Sequence, residues 1–254
     1  MSKIILKTVI GYKNWGDSIN PILVELISGI KPELVDLYKS CESENYLIIG
    51  SILKYADKNS IVWGAGFISS ETNCNEPPKK ILAVRGPLTR KILVRHDIPC
   101  PEVFGDPALL FPRFYHPKIT KKYKLGIIPH EIDRDNDWLK TIESNDAKII
   151  DVTQSGLGFI DQVLECEKIA SSSLHGLIVA DAYGIPSSWI ELSDKVIGNG
   201  FKFRDYFSSA QRKDKNPLHV KDDTSVSDII NSFSDYKIDI DLDKLWAARP
   251  DFMK

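Results

Sequence analysis

Residues 168–192, KIASSSLHGLIVADAYGIPSSWIEL, decide how this chain folds. Lys168 to Ser171 reads as a short buried strand, Leu174 to Tyr183 as a helix and Ser188 to Leu192 as a second strand, which together make a parallel strand–helix–strand unit. The same rhythm extends upstream. Tyr123 to Ile128 reads as a strand, Asp137 to Glu143 as a short helix, Lys148 to Val152 as a strand and Phe159 to Cys166 as a helix. Nearer the start, strands are expected at Ile4 to Ile10, Tyr46 to Ile49, Ile61 to Trp63, Ile81 to Val84 and Glu102 to Phe104. Helices are expected at Ile19 to Ile27 and from Pro87 to about Val94, where proline suits a first helical turn. The alternation predicts an α/β protein with mainly parallel sheets.

Between the two halves, Phe111 to Lys124 carries Pro112, Pro117 and lysines at 118, 121, 122 and 124, and reads as a solvated linker. Two Rossmann-like domains are therefore expected, 1–117 and 118–254, facing each other across a cleft where strand carboxyl ends bind ligands. The tail after Lys215 is polar. Its segment Leu242 to Ala248 is expected to form a helix packing back on the first domain. No repeat of 20 to 50 residues is visible, so any symmetry between halves would be structural only.

Composition narrows the function classes. With 33 Lys+Arg against 35 Asp+Glu the formal charge is −2, which gives no electrostatic basis for binding nucleic acid or an acidic membrane. The chain is 43% hydrophobic and 27% charged over 254 residues, enough for a large core and unlike a disordered or coiled-coil sequence. Cys41, Cys74, Cys100 and Cys166 form no CxxC pair and read as reduced thiols. The histidines at 96, 116, 130, 175 and 219 show no HxH or HExxH spacing, so neither a metal nor a cofactor is expected. The N-terminal stretch is too short in apolar residues for a signal peptide or a membrane span, and a cytoplasmic location is expected, with at most peripheral membrane contact.

Several polar segments fall at strand-to-helix turns, where open α/β sheets present their ligands. Asn14-Trp15-Gly16-Asp17-Ser18-Ile19-Asn20-Pro21 joins the first strand to the first helix, and its residues either cap that helix or meet an anion. Trp63-Gly64-Ala65-Gly66 is a second glycine turn. Arg85-Gly86-Pro87-Leu88-Thr89 offers a guanidinium beside a helix start, suited to a carboxylate or phosphate or to a structural salt bridge. Asp106 and His130 stand at two more strand ends. Ser171-Ser172-Ser173-Leu174-His175-Gly176 is the richest, combining three hydroxyls with an imidazole able to transfer protons near neutral pH. GxGxxG, GxxxxGK[ST] and GxSxG patterns are all absent, which argues against a dinucleotide enzyme, a P-loop ATPase and a nucleophile-elbow hydrolase.

Taken in order, these segments resemble the polysaccharide pyruvyl transferase family, over roughly residues 10 to 207. Gly105-Asp106-Pro107-Ala108-Leu109-Leu110, Ile128-Pro129-His130, Ala180 to Pro186 and Lys202-Phe203-Arg204-Asp205-Tyr206 belong to the match. The resemblance implies a GT-B-like pair of domains and transfer of pyruvate from phosphoenolpyruvate onto two hydroxyls of a sugar as a cyclic ketal. The resemblance also implies phosphate as the other product and an acceptor from capsule, exopolysaccharide or cell-wall glycan synthesis, such as a lipid-linked intermediate. An enol ether must be protonated at its methylene carbon before an alcohol attacks, and His175 is the expected proton donor. Asp17 is expected to orient or deprotonate the acceptor. Arg85, Ser172, Ser173, Lys202 and His130 are expected to hold the phosphoenolpyruvate anions, and Asn14, Trp15 and Asp106 the acceptor. One position departs from the family: an arginine common two residues before the histidine is Ser173 here, with Lys202, Arg90 or Arg204 as candidates to replace it. The competing readings are a GT-B glycosyltransferase using a nucleotide sugar, for which only Trp189-Ile190-Glu191 resembles a nucleoside grip, and a non-catalytic carbohydrate-binding protein.

Overall fold

The computed structural model describes residues 3–11, 14–142, 147–213 and 216–254. Glu143, read as a helix end, and Lys215, read as the start of the polar tail, lie outside the described residues, as do Met1, Ser2, Tyr12 and Lys13 of the N-terminal stretch.

The short apolar runs become strands, because each is too brief for a helix and is flanked by turn residues. Among the described residues they form two five-stranded, wholly parallel sheets. The first contains β1 (Ile5–Thr8), β2 (Glu33–Asp36), β3 (Asn45–Leu47), β4 (Ser60–Trp63) and β5 (Lys80–Ala83) in the order β2-β1-β3-β4-β5. The second contains β6 (Tyr123–Ile128), β7 (Ala147–Ile149), β8 (Cys166–Ser171), β9 (Ser187–Glu191) and β10 (Leu218–His219) in the order β7-β6-β8-β9-β10. Counted within its own sheet, each order is 2-1-3-4-5. The halves thus share one topology, although the sequence shows no repeat, and each sheet has a switch point where connections leave in opposite directions, β1/β3 and β6/β8.

The helices are α1 (Trp15–Ser18), α2 (Asn20–Ser28), α3 (Pro87–Arg95), α4 (Asp137–Lys140), α5 (Gly158–Leu164), α6 (Leu174–Ala182), α7 (Phe201–Ser209), α8 (Val226–Asn231) and α9 (Leu242–Ala247). Residues 174–181 of α6 are all buried, as expected of a helix apolar on every side, and α6 packs on the 3₁₀ run Pro107–Arg113. That run carries the chain from one sheet to the other. Its Ala108, Leu109, Leu110 and Phe111 join Leu6 and Trp15 of the first half to Phe159, Leu177 and Phe203 of the second in one continuous apolar cluster. The expected linker therefore begins inside the core, with Phe111 fully buried, and Arg113, His116, Thr120 and its lysines are exposed.

Three elements differ from the sequence reading. Glu102 to Phe104 makes a single bridge, Val84 to Phe104, instead of a strand, because Gly105 at φ +135° turns the chain into the 3₁₀ run that Asp106 caps. The helix expected through Cys166 stops at Leu164, and Cys166 opens β8. β2, an edge strand with charged ends and no apolar run, was not marked by the pattern. α9 rests on the first half: the Trp63 indole donates to the Leu245 carbonyl at 3.0 Å, and Phe252 sits edge-on to Tyr46.

Candidate active site

The turns that follow β1 and β3 meet those that follow β6 and β8, and between them lies a cavity of about 670 Å³. Asn14, Asp17, His130, Ser173, His175 and Lys202 line it, as do Ser51, Glu131 and Lys195, which the sequence reading did not single out. Arg85, Ser172, Trp15 and Asp106 are not in its lining and stand behind it.

His175 is built by three segments. Its ring lies edge-on to Trp15 at 6.2 Å, and Trp15 is itself stacked on Phe159, with its indole N–H donating to the Gly156 carbonyl at 2.8 Å. A methyl group on Gly16 would fall 2.0 Å from His175 Nδ1, so the glycine of the first motif makes room for the histidine of the last. On the other side, Nε2 lies 3.6 Å from Asp106 Oδ2, and both atoms are buried without a hydrogen-bond partner. Asp106 uses its other oxygen to accept from the Ala108 amide. The distance is too long for a formed hydrogen bond and short enough for an ion pair once the ring is protonated.

The cation comes from α7. Lys202 has its ammonium 3.2 Å from His130 Nε2. Burial, ahead of the neighbouring Arg85, pushes Lys202 down to about 8, while Glu131 and Asp17 oppose the shift. Burial and the Lys202 charge together hold His130 down to about 4, so this imidazole is neutral at physiological pH and accepts from the ammonium. Asp17 is shifted upward by burial, with His175 and Lys202 pulling the other way. Asn14 caps α1 by accepting from Gly16 and donates across the cavity to Glu131, linking the two halves at its edge.

α7 is placed by a buried ion pair. Arg85, fully enclosed, donates to Asp205 through Nε at 3.1 Å, to Ser51 at 2.8 Å and to the Phe67 carbonyl at 2.6 Å, while Asp205 also accepts from the amide and hydroxyl of Thr89. A methyl group on Gly86 would meet the Asp205 carbonyl at 2.0 Å, which explains the glycine after the arginine. Of the two readings left open for Arg85, the structure places it in the salt bridge. Ser172 likewise faces inward, accepting from the His130 amide at 2.8 Å and donating to Asp133. Ser173 is the N-cap of α6 but does not use its hydroxyl as a cap. The positive end of α6 therefore opens on the cavity beside Lys202.

Of the three candidates to replace the arginine expected at Ser173, Lys202 lines the cavity. Arg90 donates to the Cys100 carbonyl and pairs with Glu102, and Arg204 lies over Trp189 near the surface. Trp189 stacks on Phe203 and Glu191 pairs with His219, so the residues proposed for a nucleoside grip are engaged elsewhere. Burial pushes the thiols of Cys74 and Cys100 up to about 12 and that of Cys166 to about 11. No group of metal-ligating residues occurs among the described residues, and no described helix is long and apolar enough to cross a membrane.

The sequence pattern of the family described as polysaccharide pyruvyl transferase matches residues 14–194. The chain belongs to the polysaccharide pyruvyl transferase family. It is 31% identical over 233 residues to protein L143 of Acanthamoeba polyphaga mimivirus, covering 86% of this chain and 79% of that one. It is also 29% identical over 205 residues to the succinoglycan biosynthesis protein ExoV of Rhizobium meliloti (strain 1021), covering 76% of this chain and 60% of ExoV. The family span holds the motifs that build the His175 side of the cavity. Lys202 and Asp205, which complete the cationic side, lie beyond it.

Proposed function

We propose that this pyruvyl transferase family member moves pyruvate from phosphoenolpyruvate to two hydroxyls of one sugar, forming a cyclic ketal and releasing phosphate during synthesis of a surface glycan. The observation that supports it most is the pairing, in one cavity between two switch points, of an imidazole backed by a carboxylate with a buried ammonium and an open helix N-terminus. An enolic phosphate needs both, an acid for its methylene carbon and positive charge for its two anionic groups. The two α/β halves around a cleft are in keeping with a GT-B-like arrangement of domains 1–117 and 118–254.

In this reading His175 protonates the methylene carbon, and the resulting oxocarbenium-like centre is attacked by the first sugar hydroxyl, whose proton passes to Asp17. Phosphate then leaves with its bonding electrons, and the second hydroxyl closes the ketal, passing its proton to the His175 imidazole, which gave up its own in the first step. Lys202, the α6 amides and Ser173 hold the phosphate and carboxylate, with His130 keeping the ammonium in place. Asp106, Trp15 and Arg85, which stand behind the cavity wall, become positioning residues: Asp106 and Trp15 for the imidazole, Arg85 for α7.

Acceptor-dependent phosphate release from phosphoenolpyruvate, measured on the wild type and His175→Ala with galactosyl, glucosyl and mannosyl acceptors, tests the reading. Release that vanishes in the variant supports it. Absence of phosphoenolpyruvate binding by calorimetry would sink it. Lys202→Ala should raise the KM for phosphoenolpyruvate, and an unchanged value would remove Lys202 from the anion site.

A further inference from the structure

The two walls of the cavity differ in chemistry. The wall from the second half carries Lys195, Lys202 and both imidazoles, whereas among the described residues the wall from the first half has neither lysine nor arginine in its lining and is formed largely by Ile10, Leu37, Tyr38, Ile52, Tyr55 and Ile68. Four of the eight large hydrophobic residues that stand exposed among the described residues, namely Ile10, Tyr38, Ile132 and Ile197, lie around this one opening, with Tyr38 and Ile197 each 68% exposed. Exposed apolar side chains gathered at one concave site mark a binding surface.

Tyr38 is exposed and yet fixed. Its amide donates to Asp36 at 2.9 Å in the turn after β2, and its ring meets Tyr55 edge-to-face at 5.1 Å and 85°, which leaves a broad face of the ring open. Asp17 lines the same cavity, and its carboxylate interacts electrostatically with Tyr38 as well as with His175 and Lys202.

We infer that the Tyr38–Tyr55 wall is the acceptor subsite and that it takes the apolar C–H face of a pyranose ring, with the hydroxyl-bearing edge turned to Asp17. The inference rests on the pyruvyl-transfer reading for the identity of the second substrate. The described residues of this wall offer an anionic donor no counter-charge, while a pyranose presents one apolar face and one polar edge, the same division as the wall and its carboxylate. The acceptor thereby leaves the residues named for it in the sequence, Trp15 and Asp106, which are enclosed, and keeps Asn14 at its edge.

Saturation-transfer NMR on the full chain tests this with methyl β-galactopyranoside, methyl β-glucopyranoside and methyl α-mannopyranoside as probes, alongside calorimetry with phosphoenolpyruvate. At least one glycoside should bind the wild type. Tyr38→Ala should weaken it by about tenfold, Tyr38→Phe should retain it, and phosphoenolpyruvate affinity should stay the same in both. Because Tyr38 is on the surface, neither variant endangers folding. Glycoside binding that is absent from the wild type, or equal in Tyr38→Ala, overturns the subsite and leaves pyruvyl transfer standing. Glycoside binding lost in Tyr38→Ala, in a protein that does not bind phosphoenolpyruvate, upholds the subsite and removes the transfer reading. If Tyr38→Ala instead abolishes a concentration-dependent dimer in sedimentation while glycoside binding persists, the wall is an interface between copies and the inference falls.

Discussion

At the scale of single residues, the site depends on groups that never touch a ligand. Asp106 is the clearest case, since its only contact with chemistry is the 3.6 Å approach to His175 Nε2. Asp106→Asn keeps the shape and the cap on Ala108 but removes the charge facing the ring. It should lower kcat on the order of 10²–10⁴-fold with the KM for phosphoenolpyruvate unchanged, because in the proposed reading the donor is held by Lys202 and the α6 terminus. A parallel rise in KM would mean a merely structural loss. In the same proposed reading, Lys202 supplies the pH dependence. Its proton is present below about 8 and lost above it, so kcat/KM for phosphoenolpyruvate should fall as pH rises through that value in the free enzyme. Lys202→Arg, which stays charged, should carry activity to higher pH. A profile of kcat/KM against pH from 6 to about 10 for both proteins decides the point.

At the scale of elements, the motifs make sense as pairs. Gly16 leaves room for His175, and Gly86 leaves room for Asp205, so these two glycine motifs of the first half are each one side of a contact whose other side is a helix of the second, whereas Gly64 and Gly66 make room for Pro107 and Arg85 of the first half itself. Gly16→Ala should therefore displace the imidazole and cut turnover more than it cuts stability. Phosphate release set against the urea midpoint of the same variant checks this. Asp205→Ala has the opposite profile, for it leaves the Arg85 guanidinium fully buried and unpaired, and should cost about 3–5 kcal/mol of stability in urea denaturation. This pairing also explains what could be read from the sequence. The strand and helix rhythm was legible because each run is locally apolar; His175 and Asp17 drew notice because polar residues at strand-to-helix turns face ligands, and Lys202 only through the resemblance to the family. Arg85 could be read either as an anion fork or as a salt bridge, because its partner Asp205 is far along the chain. Tyr38, Ser51, Glu131 and Lys195 carried no motif at all, and they reach the cavity only because the two switch points face one another.

At the scale of the whole molecule, the two sheets share a strand order and, besides a smaller apolar cluster on each sheet, a common core between them. The run Pro107–Arg113 and helix α6 fill the space between them, and one apolar cluster runs from Leu6 and Trp15 to Phe159 and Phe203. The Trp15 amide bonds to the Val152 carbonyl at 2.8 Å, and the Arg85–Asp205 pair joins β5's end to α7, so buried polar links reinforce the same join. α9 adds a third tie by reaching from the end of the chain to Trp63. Halves joined this way cannot lose one sheet without exposing the core of the other, whereas domains that touch only across a solvated cleft unfold separately. Urea denaturation should accordingly give a single transition. Tryptophan fluorescence reports on both sheets, because Trp15 and Trp63 belong to the first half and Trp138 and Trp189 to the second, and its midpoint should coincide with that of far-ultraviolet circular dichroism. Two resolved midpoints would show that the shared cluster does not couple the halves. They would also undo the argument that Asp17 and His175, one on each side of that join, are held in register by the fold rather than brought together by the ligand.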